Sequence, residues 1–247
     1  MRRQQKCLLL WGLIFGVALI LSLTGYAGFF DELELSLEKE IGRSSYESIL
    51  AEYQVVSLPP EEEERLQNIF DRLVAACGRR NELEFSLTVV EDETVNAFAL
   101  PGGYIFVHTG LLAYVESDGE LAGVLAHEIA HVDRKHSMSA IKRQLGMALL
   151  FQIFFSDASE EIAKIGNLAI NLTQLGYGRE AEYEADRYGV YFMEKAGYSR
   201  EEILNFWRRL VEETGGGEDP ALLQLFSTHP PTSERIKRIE ALPTPAA

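Results

Sequence analysis

Cysteine is nearly missing from this chain. Of 247 residues only two are cysteine. Cys7 sits in an apolar N-terminal stretch, so Cys77 has no partner for an internal disulfide in the remainder. The remainder must therefore hold itself together by core packing, with or without a metal ion. Basic residues are scarce as well: 23 Lys and Arg stand against 38 Asp and Glu, a net charge of −15. Three of the basic residues, Arg2, Arg3 and Lys6, precede the apolar stretch, which leaves the rest more acidic still. Such a surface excludes nucleic acid as a partner and excludes docking on anionic lipid by charge. Internal repeats are absent. Beyond residue 30 the stretch Met147–Phe155 is strongly apolar, but its nine residues cannot span a bilayer as a helix. It reads as a core helix; an apolar flap over a cleft, or a patch lying against a membrane, are the alternatives.

The N-terminus has the opposite character. Its first 30 residues contain no acid, and the three basic residues are followed by apolar residues 7–30. A basic flank before a hydrophobic run is the pattern of a signal peptide or signal anchor, with the N-terminus cytoplasmic and the rest exported. Gly25-Tyr26-Ala27 offers a small-x-small cleavage site. The run is nevertheless about long enough to span a bilayer, which favours a retained anchor. Residues 1–30 are thus expected to be a leader or anchor, 31–241 one folded domain, and 242–247 a flexible tail.

Within that domain the signals alternate in kind. Residues 31–57 read as helical with a break at Gly42, and Pro59-Pro60 opens the next helix. Glu61 to Glu64 fill its first turn, favourable against the helix dipole. Leu66, Ile69, Phe70, Leu73, Val74 and Cys77 form its apolar stripe, and Gly78 marks its stop. Phe85, Leu87 and Val89 alternate with Glu84, Ser86 and Thr88, as in a strand. Residues 95–100 and 104–108 read as two more strands around Pro101-Gly102-Gly103. From 110 to 240 the signals are helical. Ser117 with Glu120, and Ser199 with Glu202, suit capping boxes, and residues 215–217, all glycine, mark a loop.

One pentapeptide carries chemistry: His127-Glu128-Ile129-Ala130-His131. On a helix, positions four apart lie on one face about a turn from each other, so both imidazoles reach one metal ion. Glu128 projects beside them, where a carboxylate takes the proton of a metal-activated water. The surrounding Leu121, Val124, Leu125 and Ile129, with Ala122, Ala126 and Ala130, describe a buried helix. Charged and imidazole groups are costly to bury there, and a bound cation offsets that cost. Two solvated or core histidines are the bland alternative.

A catalytic zinc takes three protein ligands and leaves a fourth position open. His136 lies five residues after His131, and Arg134 stands where the HExxHxxGxxH pattern needs glycine, which excludes that arrangement. The better candidate is Glu182, four residues before Asp186 on one helical face. Glu182 would bind metal while Asp186 accepts an N–H from a ligand histidine. A solvated acidic face laced with Arg179 and Arg187 is the alternative.

Residues 121–131 and 182–186 resemble the gluzincin metallopeptidase family of CAAX prenyl proteases, HtpX and Oma-type peptidases. Three further blocks agree: Val95 to Gly103, Thr109-Gly110-Leu111-Leu112, and Ser227-Thr228-His229-Pro230-Pro231-Thr232. The match covers roughly residues 40 to 240, and the single apolar segment makes the chain similar to the periplasmic BepA/LoiP and Oma-like branch. It departs from BepA-like members in showing no C-terminal tetratricopeptide region.

The resemblance implies zinc, one ion per chain, on His127, His131 and Glu182, with Glu128 as base. It implies an α+β, mainly α fold: a zincin-like HExxH metallopeptidase with a small three-stranded β-sheet packed on a helical core. It places His229 near the site, as oxyanion donor or as a fourth ligand that blocks the water; a turn histidine capping the next helix is the alternative. It makes Asn96, Ala97, Phe98 and Ala99 an edge strand on which extended substrate pairs by its backbone, unless this is an ordinary strand with Phe98 in the core. The expected activity is zinc-dependent hydrolysis of peptide bonds in unfolded or misassembled envelope proteins. The expected location is extracytoplasmic, on the periplasmic side, anchored in the inner membrane by residues 7–30. The rival from another class is a non-catalytic, metal-containing chaperone or adaptor of envelope assembly, which would not need Glu128.

Overall fold

The computed structural model describes residues 28–155, 159–214, 228–229 and 233–243. Most of the expected leader (residues 1–27), the glycine loop at 215–217, Ser227, residues 230–232 and the tail from 244 onward lie outside the described residues. Contacts divide the chain into a unit of residues 1–38 and a unit of residues 39–247. Among the described residues, no helix is long and apolar enough to cross a membrane.

The chain runs from helix α1 (residues 28–52) into α2 (Pro60–Ala76), then a sheet, then helices to the C-terminus. The strands are β1 (Ser86–Val90), β2 (Ala97–Ala99) and β3 (Tyr104–His108), in spatial order β1-β3-β2. β1 pairs parallel with β3, Leu87 opposite Ile105, whereas β2 pairs antiparallel with it, Phe98 opposite Phe106. Seven helices follow among the described residues: α3 (Thr109–Tyr114), α4 (Asp118–Asp133), α5 (His136–Leu145), α6 (Met147–Phe155), α7 (Ser159–Gln174), α8 (Arg179–Lys195) and α9 (Arg200–Thr214). Helix α10 (Ser233–Glu240) is the last helix among the described residues. The architecture is α+β, mainly α, with the small sheet on a helical core.

Local chemistry accounts for most of these boundaries. Pro60 begins α2, where its missing N–H costs nothing, and Glu61, Glu62 and Glu63 occupy the first turn. Ser117 caps α4: its side chain accepts from the Glu120 backbone N–H at 3.1 Å. The Glu120 carboxylate does not complete a box with Ser117. It accepts from the Glu116 N–H and from Arg209, which reaches it with two N–H groups at 2.6 and 2.7 Å. The expected box at Ser199 is also looser, its hydroxyl accepting from the Glu201 N–H at 3.2 Å.

The expected break at Gly42 is absent, and the helix runs through it. Glycine stands there for space rather than for flexibility: a Cβ at this position would overlap the Pro101 carbonyl. That close approach lets the helix lie on the β2–β3 connection. Ile49 then packs with Val90, Phe98, Leu100, Phe106 and Ile170 in one apolar cluster, edged by Tyr46, Tyr53 and Tyr104. Each such fully buried aliphatic or aromatic side chain contributes about 1.5–3 kcal/mol. Helix α6 packs on α5 and α7, burying Leu150 and leaving Leu149 exposed.

Helix α4 is the centre of the unit of residues 39–247. All its residues from Gly119 to Val132 are buried, against α8 above all and against α2, α9 and β2. A helix buried on every side cannot place a polar group in water, so each one needs a partner inside.

Candidate metal centre

Arg209 satisfies Glu120 near the start of α4, and the remaining polar groups of the helix gather at its other end. His127, Glu128 and His131 face the first turn of α8, where Glu182 sits. Three helices, α5 to α7, separate the two in sequence. Glu182, Asp186 and Gly189 recur along one face of α8, and that face meets α4. Gly189 permits the approach: a Cβ there would stand 3.1 Å from the His127 backbone nitrogen.

The side chains converge. His127 Nε2 lies 3.0 Å from His131 Nε2, 3.4 Å from Glu182 Oε2 and 3.3 Å from His229 Nδ1. His131 Nε2 is 3.5 Å from Glu182 Oε1, and His229 Nδ1 is 3.1 Å from Glu182 Oε2. Two ligands each about 2.1 Å from one tetrahedral ion stand roughly 3.4 Å apart, which these separations approximate. One ligand atom from each of the four residues falls within 4.8 Å of all the others. The donor set, imidazole nitrogen with carboxylate oxygen, suits zinc among divalent ions.

Burial supports the fit. His127, Glu128, His131, Glu182 and His229 are each at most 4% exposed. Both carboxylate oxygens of Glu128, together with Glu182 Oε1 and His229 Nε2, have no hydrogen-bond partner among the described residues. An unpaired buried carboxylate costs several kcal/mol, and a cation between these groups removes that cost. The electrostatics of the cluster show the same demand. Burial, followed by the His229 and His127 charges that pull the other way, leaves the Glu128 carboxyl above its ordinary range. Burial opposes ionisation of Glu182 too, but His229, His127 and His131 outweigh it and hold that carboxyl well below the usual range. Burial would lower the His127 imidazole, yet Asp186 and Glu182 lift it to about 9. Burial dominates at His131, which is pushed well below its ordinary value.

Around the cluster sits a layer of supporting groups. Asp186 Oδ1 is 3.1 Å from His127 Nδ1. Arg235 of α10 donates to Asp186 through Nε and Nη2, at 2.8 and 2.6 Å, and through Nη1 to the His229 carbonyl at 3.0 Å. Its guanidinium lies 4.7 Å over the Trp207 ring. Tyr177 stacks on His131 with ring centroids 4.5 Å apart, and burial pushes its phenol up to about 12.

The structure thus brings together His127, Glu128, His131, Glu182, Asp186 and His229. The other expected site residues, Asn96 to Ala99, lie in and just before β2. Among the described residues β2 pairs with β3 on one side only, but its residues are buried, and Phe98 belongs to the apolar cluster under the sheet. Only the strand's backbone edge could engage a peptide, and there the Ala99 carbonyl already accepts from Thr173 Oγ1 at 3.3 Å. Sequence reasoning missed Arg235 and the position of His136. The available signal for Arg235 was one basic residue on the apolar face of α10, directly after the His229 block.

A buried HExxH helix, crossed by a second helix that brings a carboxylate, and a small sheet alongside, define a zincin-like metallopeptidase architecture. The chain belongs to peptidase family M48, whose model matches residues 60–242. It is 31% identical over 217 residues to the mitochondrial metalloendopeptidase OMA1 of Schizosaccharomyces pombe, covering 85% of this chain and 62% of that protein. It is 34% identical over 218 residues to the putative beta-barrel assembly-enhancing protease of Vibrio cholerae, covering 82% of this chain and 43% of that one. With the beta-barrel assembly-enhancing protease of Escherichia coli it shares 28% identity over 162 residues, 62% of this chain and 33% of the relative. The chain therefore spans less than two thirds of the length of these relatives.

Proposed function

We propose that this chain is a zinc-dependent endopeptidase that hydrolyses peptide bonds in unfolded or misassembled proteins of a cell envelope. The observation that carries the reading is the buried Glu128 carboxylate, without a hydrogen-bond partner among the described residues, beside the buried cluster of His127, His131, Glu182 and His229. A purely structural metal site has no use for such a group. His127, His131 and Glu182 would hold the ion, and Asp186, with Oδ1 3.1 Å from His127 Nδ1, would orient the His127 ring. Zinc, when bound, supplies Lewis-acid polarisation of water and of the scissile carbonyl. Glu128 accepts the proton of the attacking water and returns it to the leaving amine.

His229 has two roles open to it. Its Nε2 is 3.5 Å from Glu128 Oε1, suited to donating to the developing oxyanion. Its Nδ1 lies among the ligand atoms, which favours a resting state in which it occupies the fourth position. The backbone edge of β2 is the place for an extended substrate, a mode that reads shape more than sequence. The names of the relatives, a mitochondrial metalloendopeptidase and proteases that enhance β-barrel assembly, fit substrates at a membrane. Tethering by residues 7–30 on the exported side would put the site there.

Glu128→Gln keeps the size of the side chain and removes the base. The purified variant is expected to bind about one zinc per chain by elemental analysis and to cleave reduced casein about 10²–10⁴-fold more slowly. Cleavage at the parental rate would falsify the mechanism. Zinc near zero in an active parent would remove the ligand assignment. Proteins retained by the inactive variant in cells would name the substrates.

A further inference from the structure

His136 sits behind His131, on the side away from the ligand cluster. His131 Nδ1 and His136 Nδ1 are 2.8 Å apart, and His136 Nε2 is 3.2 Å from Glu184 Oε2. Two ring nitrogens that close need one hydrogen between them, so one donates and the other accepts. The far side of His131 decides which. Its Nε2 faces His127 Nε2 and Glu182 Oε1, and a nitrogen that ligates a cation carries no hydrogen. The hydrogen of His131 is therefore on Nδ1 and is donated to His136. His136 then carries its own hydrogen on Nε2 and donates it to Glu184 Oε2. The other oxygen of Glu184 accepts from Arg134 Nε at 3.0 Å. Every group in the row has one role, and none conflicts with its neighbour.

The backbone is bent to make this row. Five residues along an uninterrupted helix turn the chain about 500°, which would put position 136 roughly 140° around from His131. Instead α4 stops, and Lys135 adopts φ 56° and ψ 36°. It is the one non-glycine residue with positive φ among the described residues. That conformation is strained for a residue that carries a side chain. The turn lets α5 begin with His136 folded back on His131. Tyr177 closes the pair from one side, stacked on His131, its hydroxyl 2.6 Å from Ser137 Oγ. His131 and His136 are buried, so water does not replace the contact.

We propose that His136 is the positioning residue of His131. Its Nδ1 fixes the tautomer and ring angle of the second ligand, as the Asp186 carboxylate does for the first, and Glu184 fixes the tautomer of His136 in turn. The two ligand histidines of the HExxH helix are then held by different chemistry, a carboxylate behind His127 and an imidazole behind His131. This rests on reading His127, His131 and Glu182 as metal ligands. Groups hydrogen-bonded behind a metal ligand typically govern affinity by 10–100-fold.

The test compares zinc affinity, by competition with a chromophoric chelator, in the parent, His136→Met and His136→Gln. Methionine and glutamine are close in size, and only glutamine offers an oxygen acceptor. His136→Met is expected to weaken zinc binding about 10–100-fold, and His136→Gln to recover most of that. Nitrogen NMR of the zinc-loaded parent reads the row without any substitution. It is expected to show a protonated Nδ1 on His131, and on His136 a protonated Nε2 with a bare Nδ1. A hydrogen on His136 Nδ1 overturns the proposal, as does a folded His136→Met that holds zinc within about twofold of the parent. If the parent binds no zinc, the metal reading fails and this one with it. If the parent binds zinc and His136→Met binds it equally, only the role of His136 is lost.

Discussion

Asp186 and Arg235 meet in a two-pronged ion pair behind the His127 ring, Oδ1 to Nη2 at 2.6 Å and Oδ2 to Nε at 2.8 Å. Burial works against the Asp186 charge, and Arg235 with His127 outweighs it, holding the carboxyl below its ordinary range. Arg235 Nη1 also stands 3.2 Å from Glu182 Oε2. One guanidinium thus ties α10 and the His229 backbone to the helix that carries Glu182 and Asp186.

Removing Arg235 leaves Asp186 charged, buried and without its cation. Arg235→Met is expected to cost about 3–5 kcal/mol of stability, read as a lower urea midpoint at unchanged slope. The double variant Asp186→Asn, Arg235→Met is expected to regain part of the loss. A single variant within about 0.5 kcal/mol of the parent means the pair does not hold this end of the fold.

Glycine 42 is a packing residue. Gly42→Ala brings a methyl into the Pro101 carbonyl, and overpacking of this kind costs about 1–3 kcal/mol. Gly28, with nothing within 4 Å of its Cβ position, is the control. Gly28→Ala is expected to stay within about 0.5 kcal/mol of the parent. Equal denaturation midpoints for the two variants contradict the close approach.

The Cys77 thiol is buried, and its Sγ donates to Asp133 Oδ1 at 3.1 Å. Burial, the Asp133 hydrogen bond and the Asp133 charge push it from 9.0 up to about 12. The folded chain therefore holds this proton more tightly than the unfolded chain. That contribution to stability is complete below pH 9 and is lost as pH rises from 9 towards 12. Iodoacetamide at pH 8 is expected to leave Cys77 unmodified in the native protein and to alkylate it in urea. Native labelling as fast as that of a free thiol rules out the buried, proton-bearing state.

Without a cation, the Glu128 carboxylate stands in a dry interior with no hydrogen-bond partner among the described residues. A ligand that binds only the folded chain stabilises it by about 2.7 kcal/mol at one hundred times its dissociation constant. The chelated protein is therefore expected to melt at a lower temperature, and graded zinc to raise the midpoint progressively. Glu182→Gln should abolish that dependence. A melting temperature indifferent to zinc speaks against a site among His127, His131 and Glu182.

Much of this was legible because it is local. Strand alternation at 84–89, the proline start of α2 and the serine cap of α4 depend on neighbours a few residues away. The HExxH spacing does too, since helical geometry alone puts His127 and His131 on one face. The regular recurrence of Glu182 and Asp186 marked a second face by the same rule. Gly42 was misread because a glycine that breaks a helix and one that admits a neighbour look the same in sequence. Only Pro101, 59 residues later, tells them apart.

The amino-acid order by itself determined the pair of imidazoles with a carboxylate between them, the helical frame that aims them, and the mainly helical class around a short sheet. Tertiary structure decided how further groups surround the centre: Arg235 behind Asp186, the contact of His229 with Glu128, and His136 folded back behind His131. The last requires a left-handed turn at Lys135, which intrinsic preference disfavours and which packing alone enforces. Short-range geometry is written residue by residue, whereas convergence across tens of residues is fixed only when the buried surfaces close on one another.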